Sequence, residues 1–451
     1  MRVESLFGLL PDHWEVSTVG GVCSRGGGDV QTGPFGSQLH ASDYVADGVP
    51  SIMPQNIGDN RVIPEGIARI TPKDAARLNR YLVKAGDIVY SLRGDVERRA
   101  LIRAGESGWL CGTGCLRIRL GDGYVDPPYM SYYLGHPEVR KWIIRHAVGA
   151  TMPNLNTSIL SAVPFVRPPL TEQRAIAHIL GTLDDKIELN RRMNATLEAM
   201  ARALFQSWFV DFDPVRAKAA GRHPAGMDAE TAALFPDGLE GTELGEVPNG
   251  WRTVPLTEAV SINPTRRLSG GTVAPYLEMS NLPTNAARVL GWEARAFTSG
   301  MKFVNGDVLL ARITPCLENG KTAYVDFLNE GEVGWGSTEY IVLHSNHPLA
   351  PVYAYFLARR DDFRSFAIQN MTGTSGRQRV PAGCFKSFLV AIPPAGVSDR
   401  FNALVDPKMH AIRCNDQESG TLGTIRDLLL PKLLSGEIRV REAERQLEAV
   451  L

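Results

Sequence analysis

The sequence is short of the features that mark several large protein classes. Charge of one sign is missing: Lys plus Arg total 48 against 49 for Asp plus Glu, a formal net charge of -1 over 451 residues. No basic tail advertises a polyanion partner, so any such surface is expected to be a local patch or to be completed by another subunit. Cysteine is sparse and scattered, at Cys23, Cys111, Cys115, Cys316, Cys384 and Cys414, which argues against a disulfide framework and suits reduced thiols. Cys111 and Cys115 have no second Cys or His pair following at finger spacing, so they read as small buried side chains rather than zinc ligands. Apolar runs are brief. Leu6 to Leu10 stops at Pro11, too short for a signal-peptide core, and no stretch reaches membrane-spanning length, so a cytoplasmic protein with no membrane partner is expected. Catalytic signatures are missing as well: there is no phosphate-cradling Walker loop, no Gly-flanked nucleophilic Ser and no His-Glu helical zinc pair. The histidines are dispersed, with His178 reading as an exposed or partner-facing residue, and nothing calls for a cofactor or metal.

What is present is 44% hydrophobic content, enough for two or three globular domains, and one module written twice with a period of about 225 residues. Each half opens with a Pro, two residues, a Trp and a strand-like run: Pro11 and Trp14 leading to Val19, Pro248 and Trp251 leading to Leu256. Val49-Pro50 with Asn56-Ile57 matches Ala274-Pro275 with Asn281-Leu282. Gly86-Asp87 leading into Ile88-Val89-Tyr90 recurs as Gly306-Asp307 leading into Val308-Leu309-Leu310, which is turn chemistry before a strand. Thr113 to Ile118 aligns with Thr338 to Leu343, and Pro128 to Leu134 aligns with Pro351 to Leu357. Both copies then cross Thr151 or Thr374, run through a strand and stop at a proline pair, Pro168-Pro169 or Pro393-Pro394.

Beyond each proline pair the apolar period changes from two to three or four, which predicts a long amphipathic helix. Steps of seven give Ile176, Leu183, Asn190, Leu197 and Leu204, with Ile179, Met193 and Met200 on the adjoining row. The same step in the second copy gives Phe401, Lys408, Asn415, Leu422 and Leu429, flanked by Leu404, Ala411 and Ile425. A polar Asn falls at the same place in both seams. Such a residue wants a polar group opposite it, so the two helices are expected to pair antiparallel with Asn190 and Asn415 near the crossing; the alternative is two helices each lying on its own domain. A helix of about 35 residues spans about 50 Å and suits a spacer. Pro431 is expected to interrupt the second helix, before the turn Leu433 to Ile438 and a charged tail from Arg439 to Leu451.

Asp126-Pro127-Pro128-Tyr129 resembles the loop with which amino-methyltransferases hold a flipped adenine, which keeps a self-contained N6-adenine DNA methyltransferase open as an alternative. No methyl-donor glycine fingerprint stands nearby, and the second copy has Leu349-Ala350-Pro351-Val352 in its place, a pattern that suits a helix start better. More informative are polar, glycine-flanked clusters at equivalent loops. In the first copy these are Gly33 to Gln38, with Phe35, Ser37 and Gln38; Arg93 with Arg98 and Arg99; and Asn154 with Asn156. In the second they are Thr265 with Arg266 and Arg267; Arg312; and Gly373 to Arg379, with Ser375, Arg377, Gln378 and Arg379. Arg bonds guanine in a bidentate fashion and Asn or Gln does so for adenine, so these residue types fit major-groove reading; the competing view of each is a solvated loop.

These residues carry a likeness. Over essentially its full length the chain resembles the DNA-specificity subunit of type I restriction-modification systems, notably at Gly33 to Leu39, Pro168 to Ile176, Ile187 to Asn194, Leu204 to Val215 and Leu433 to Ile438. The resemblance implies a non-catalytic subunit with no cofactor, binding a bipartite double-stranded DNA site through one recognition domain per half-site. It implies methyltransferase (modification) subunits and translocase/nuclease (restriction) subunits as partners. Where the first copy has Thr171-Glu172-Gln173-Arg174 the second has Gly396-Val397-Ser398-Asp399, so docking on the two helices is expected to differ. The expected fold class is α+β, with two tandem mixed α/β target-recognition domains in pseudo-two-fold repeat joined by two long antiparallel paired helices. The expected boundaries are 1–169 for domain 1, 170–212 for the first spacer helix, 213–247 for a connector, 248–394 for domain 2 and 395–451 for the second helix and tail. Asn190, Asn415, Leu183, Leu197 and Leu422 are the residues expected to pair the helices.

Overall fold

A computed structural model describes residues 4–149, 151–289, 291–374 and 376–448. The chain divides into two units, Met1–Glu188 with Ser419–Leu451, and Leu189–Glu418.

In the first unit the strand after Trp14, Glu15–Thr18, pairs antiparallel with Pro164–Arg167, the strand that runs into the proline pair. Thr18 then caps the helix Val19–Gly26 by accepting from Gly21 N at 3.1 Å. Behind it stands an antiparallel sheet in the order Gly27–Thr32, Cys115–Gly121, Ile88–Ser91, Arg99–Leu101. A second four-stranded sheet contains one parallel pair, Leu110 and Cys111 against Ser51 and Ile52.

The second unit repeats this plan. Arg252–Pro255 pairs with Leu389–Ile392, and the order Val260–Ile262, Tyr340–Ser345, Asp307–Ala311, Thr322–Tyr324 repeats the first antiparallel sheet. The parallel pair returns as Tyr276 and Leu277 against Trp335 and Gly336. The Gly-Asp turns are alike in detail. Gly86 and Gly306 both sit at φ 88, a left-handed conformation that favours glycine. The following aspartates are buried and take a backbone N–H three residues earlier, Lys84 N to Asp87 and Val304 N to Asp307, at 2.8 Å each. The architecture is therefore mixed α and β, two sheet-rich domains of one topology with two long helices, Leu170–Phe209 and Ala395–Ser435.

Within the second unit the helices run antiparallel. Asn190 donates to Asn415 O at 3.3 Å and to Glu418 at 2.7 Å, while Asn194, one turn on, reaches back to Asp416 at 2.7 Å. Leu197 packs against the same unit's core. In the first unit Leu183 and Leu422 are buried in one core, together with Tyr129, Tyr133 and Phe165 of the sheet domain. The seams are thus covered both by the partner helix and by the domain.

Two expectations about the helices need correction. Of the adjoining row, Ile179 is buried as expected, but beyond it the inward row lies four residues on rather than three: Leu180, Ile187, Asn194, Ala201 and Trp208 face inward, whereas Met193 and Met200 are exposed. In the second helix Val405, Ile412 and Leu433 are buried and Arg426 is half-buried four residues on from the seam, while the expected Leu404 and Ile425 also pack, half-buried, against the cores. A helix turn of 3.6 residues lets either neighbour join a seam, and the apolarity of Met does not say which. Nor does Pro431 end the second helix, which is continuous to Ser435. Its cost of about 3 kcal/mol is offset by burial of Leu429, Leu430, Leu433 and Leu434, at roughly 1.5–3 kcal/mol each for full burial.

Candidate nucleic-acid interface

In the first unit three loops leave the same end of the antiparallel sheet. Thr32 is opposite Leu116 and Ser91 is opposite Cys115, so the loop after Thr32 and the loop after Ser91 flank one strand. With neighbouring strands about 4.8 Å apart, the two loops begin about 10 Å from each other. The third loop, residues 148–154, is a small hairpin joined to the second. Arg93 bridges Asn154, Gly94 N donates to Pro153 O at 3.0 Å, and Leu155 N donates to Leu92 O at 2.9 Å.

The residues predicted there have different fates. Phe35 is 63% exposed and Ser37 is exposed. Gln38 is turned inward, its oxygen accepting from Phe35 N at 3.2 Å and Tyr81 OH at 2.9 Å. Arg93 is exposed with no carboxylate partner among the described residues, and Arg98 is exposed but paired with Asp95 at 2.5 Å. Arg99 is not a surface residue: it is 2% exposed, pairs with Asp59 at 2.9 Å and donates to the Ser131 carbonyl. Asn154 spends its amide on Met152 O at 2.8 Å and Val148 O at 3.3 Å, and Asn156 caps the helix Thr157–Ala162 through Ile159 N. Both act on local backbone, as Asn does at turns and caps.

In the second unit the same sheet end is built from different side chains. Asn263, at φ 52, exchanges backbone and side-chain bonds with Val342 and launches the loop carrying Arg266 and Arg267. Arg266 does not stay at this end: buried Asp307, which stands opposite His344 at the far end of the strand from Ala311, holds it at 2.9 Å, and Asp307 also contacts His344 Nδ1 at 2.8 Å. Arg267 is exposed with no carboxylate partner among the described residues. Arg312 is half-buried and extends the strand, its carbonyl taking Val380 N at 2.8 Å. A hairpin again closes the edge, with Thr372 bridging Arg379 and Ile313 bridging Arg379. It presents Arg377 fully and Gln378 partly, whereas Arg379 is held by Glu339 at 2.7 Å. Ser375 lies outside the described residues.

Each unit also holds a polar network between the long helices and the sheet domain that the sequence did not announce. In the second unit Arg288 pairs with Asp326 at 2.6 Å and with Asp416 of the second long helix at 2.9 Å. Glu198 of the first helix takes Tyr355 OH at 2.5 Å and Ala287 N at 3.0 Å. Burial pushes the Asp326 and Asp416 carboxyls up, against the pull of Arg288. In the first unit Asp184 takes Tyr132 OH and Arg426, each at 2.7 Å. Tyr132 and Tyr355 stand at matching repeat positions, and that alignment was the available signal.

The Asp126 to Tyr129 segment starts the helix Pro127–Leu134, with Asp126 accepting from Tyr129 N at 3.1 Å. Tyr129 is fully buried and donates to Val166 O, so no base can stack on it. Cys111 and Cys115 are buried free thiols, and burial pushes Cys111 up to about 12. Among the described residues no group of His, Cys, Asp or Glu is placed to hold a metal, and no helix is long and apolar enough to cross a membrane.

Residues 11–199 match the family described as type I restriction modification DNA specificity domain. The chain is similar to the type I restriction enzyme MjaIX specificity subunit of Methanocaldococcus jannaschii, 24% identical over 97% of this chain and 96% of that one. It is also similar to the HindI specificity subunit of Haemophilus influenzae, 25% identical over 86% and 95% of the two chains. In fold it is similar to the type I restriction-modification S subunit from M. genitalium, with a TM-score of 0.54, 15% identity, and coverage of 93% and 96%.

Proposed function

We propose, from the premise that the chain belongs to the type I restriction-modification specificity-subunit family, that its two domains each read one half of a split duplex site. The family role is recognition of DNA rather than catalysis. The observation that carries the finer reading is the repeated sheet end, closed by the same hairpin in both units but lined by different side chains. A single backbone plan with different loop chemistry is what two readers of unlike sequences require.

Arg93, Arg267 and Arg377 are the proposed direct contacts, since each is exposed with its guanidinium uncommitted to a carboxylate among the described residues. Phe35, Ser37, Arg98, Arg312 and Gln378 border them. Arg99, Arg266, Arg379, Asn154 and Asn156 are proposed as positioning residues. The long helices are proposed to set the gap between half-sites and to receive modification subunits, with restriction subunits joining that assembly. The proposed domain bounds are 1–169 and 248–394, with the helices between and after them.

The test is methyl transfer to DNA from a labelled donor. The chain alone is expected to transfer nothing, and the chain with its modification partner is expected to methylate a split site. Robust transfer by the chain alone contradicts the proposal.

A further inference from the structure

The two hairpins differ in a way that the DNA-reading role does not by itself require. On the first, Val148 is 63% exposed and Met152 is 56% exposed, and Phe35 on the adjacent loop is 63% exposed. Single exposed apolar residues are ordinary; here two large ones stand on one hairpin and a third on another loop from the same sheet end. The hairpin is held by its own hydrogen bonds. The Asn154 amide ties Met152 O to Val148 O across the tip, while Gly94 N and Leu92 O anchor its base. Its neighbours are cationic: Arg93 bridges the hairpin, and exposed Arg145 ends the helix that leads into it. An apolar hairpin beside guanidinium groups with no carboxylate partner among the described residues suits the edge of a polyanion rather than an apolar protein groove. On the second hairpin Gly373, Thr374, Gly376 and Arg377 are exposed, and none of these described residues is apolar like Met152.

We infer that the first domain enters its half-site with an apolar wedge: Met152, backed by Val148 and Phe35, inserts at a base step while Arg93 grips a neighbouring phosphate. Insertion withdraws the three side chains from water and so offsets the loss of stacking. The second domain, with a polar tip, leaves its half-site stacked and reads it by hydrogen bonds. Specificity in the first half-site therefore includes how easily a step opens, and a flexible pyrimidine–purine step is the favoured substrate. This rests on the proposed one-domain-per-half-site reading.

The experiment uses the chain assembled with its modification partner, on duplexes of the mapped site carrying 2-aminopurine at successive positions other than the methylated adenines. A fluorescence rise is expected at one step of the half-site assigned to the first domain, and none at the corresponding position of the other half. Met152→Ser is expected to lower that rise and to weaken binding about tenfold, while Met152→Leu keeps both; being exposed, the position tolerates either side chain without loss of folding. A rise unchanged by Met152→Ser, or equal rises in both halves, overturns the wedge. Loss of assembly with the partner, with no change in the DNA signal, also overturns it and marks the patch as a protein contact. A complex that methylates no split site contradicts the underlying reading instead.

Discussion

Asn415 and Asn194 meet across the two long helices, the Asn415 amide donating to the Asn194 side-chain oxygen at 2.8 Å. Asn194 returns a bond to Asp416 at 2.7 Å, and Asp416 is also held by Arg288 of the second sheet domain. The pair therefore sits between helix register and domain placement. Replacing Asn194 by Leu removes the acceptor for one half-buried amide and one donor to a carboxylate. The expected cost is about 1–3 kcal/mol, read as a lower urea midpoint with an unchanged slope. An unchanged midpoint places the pair outside the energetics of the helix contact.

The arginines separate by their partners. Arg266 is committed to a buried aspartate, so Arg266→Ala leaves Asp307 with His344 as its remaining ionisable contact, and the fold is expected to lose about 3–5 kcal/mol. Arg377 has no such duty. Arg377→Ala is expected to leave the melting temperature within about 1 °C, yet to weaken DNA binding and lower the salt dependence of log Kd by about one unit. Calorimetry and binding titrations over salt distinguish the two; reversed behaviour contradicts the assignment.

His136 gives the first domain a pH dependence. Its Nδ1 caps the helix Pro137–His146 by accepting from Glu138 N at 3.1 Å, and burial lowers its pKa from 6.5 to about 4. The folded chain thus prefers neutral imidazole, while the unfolded chain takes up a proton below 6.5. The contribution to stability is fully present above pH 6.5 and is lost progressively as pH falls towards 4. His136→Asn keeps a capping oxygen and is expected to flatten the denaturation midpoint over this window. A wild-type midpoint that does not fall across it contradicts the account.

The repeat was legible because turn chemistry is local. Gly86-Asp87 and Gly306-Asp307 need a left-handed glycine and a side chain that reaches its own backbone, and the proline pairs stop a strand wherever they occur. The Asn seam was legible for the same reason, since a polar residue in an apolar row is conspicuous. Burial that depends on distant partners was not. Arg99 and Arg266 look like groove readers by residue type, but each answers an aspartate 40 or 41 positions away. Met193 and Met200 looked like seam residues because apolarity does not fix the side of a helix on which a partner lies. Asn194 was passed over because the row it occupies was assigned one residue early.

The central claim is that the two sheet ends read separate halves of one site. The most direct measurement exchanges residues 248–394 for those of another family member and maps methylated sites for the assembled complex. A site altered in one half only, with the other half and the gap kept, is the predicted result. Both halves altered, or neither, contradicts it.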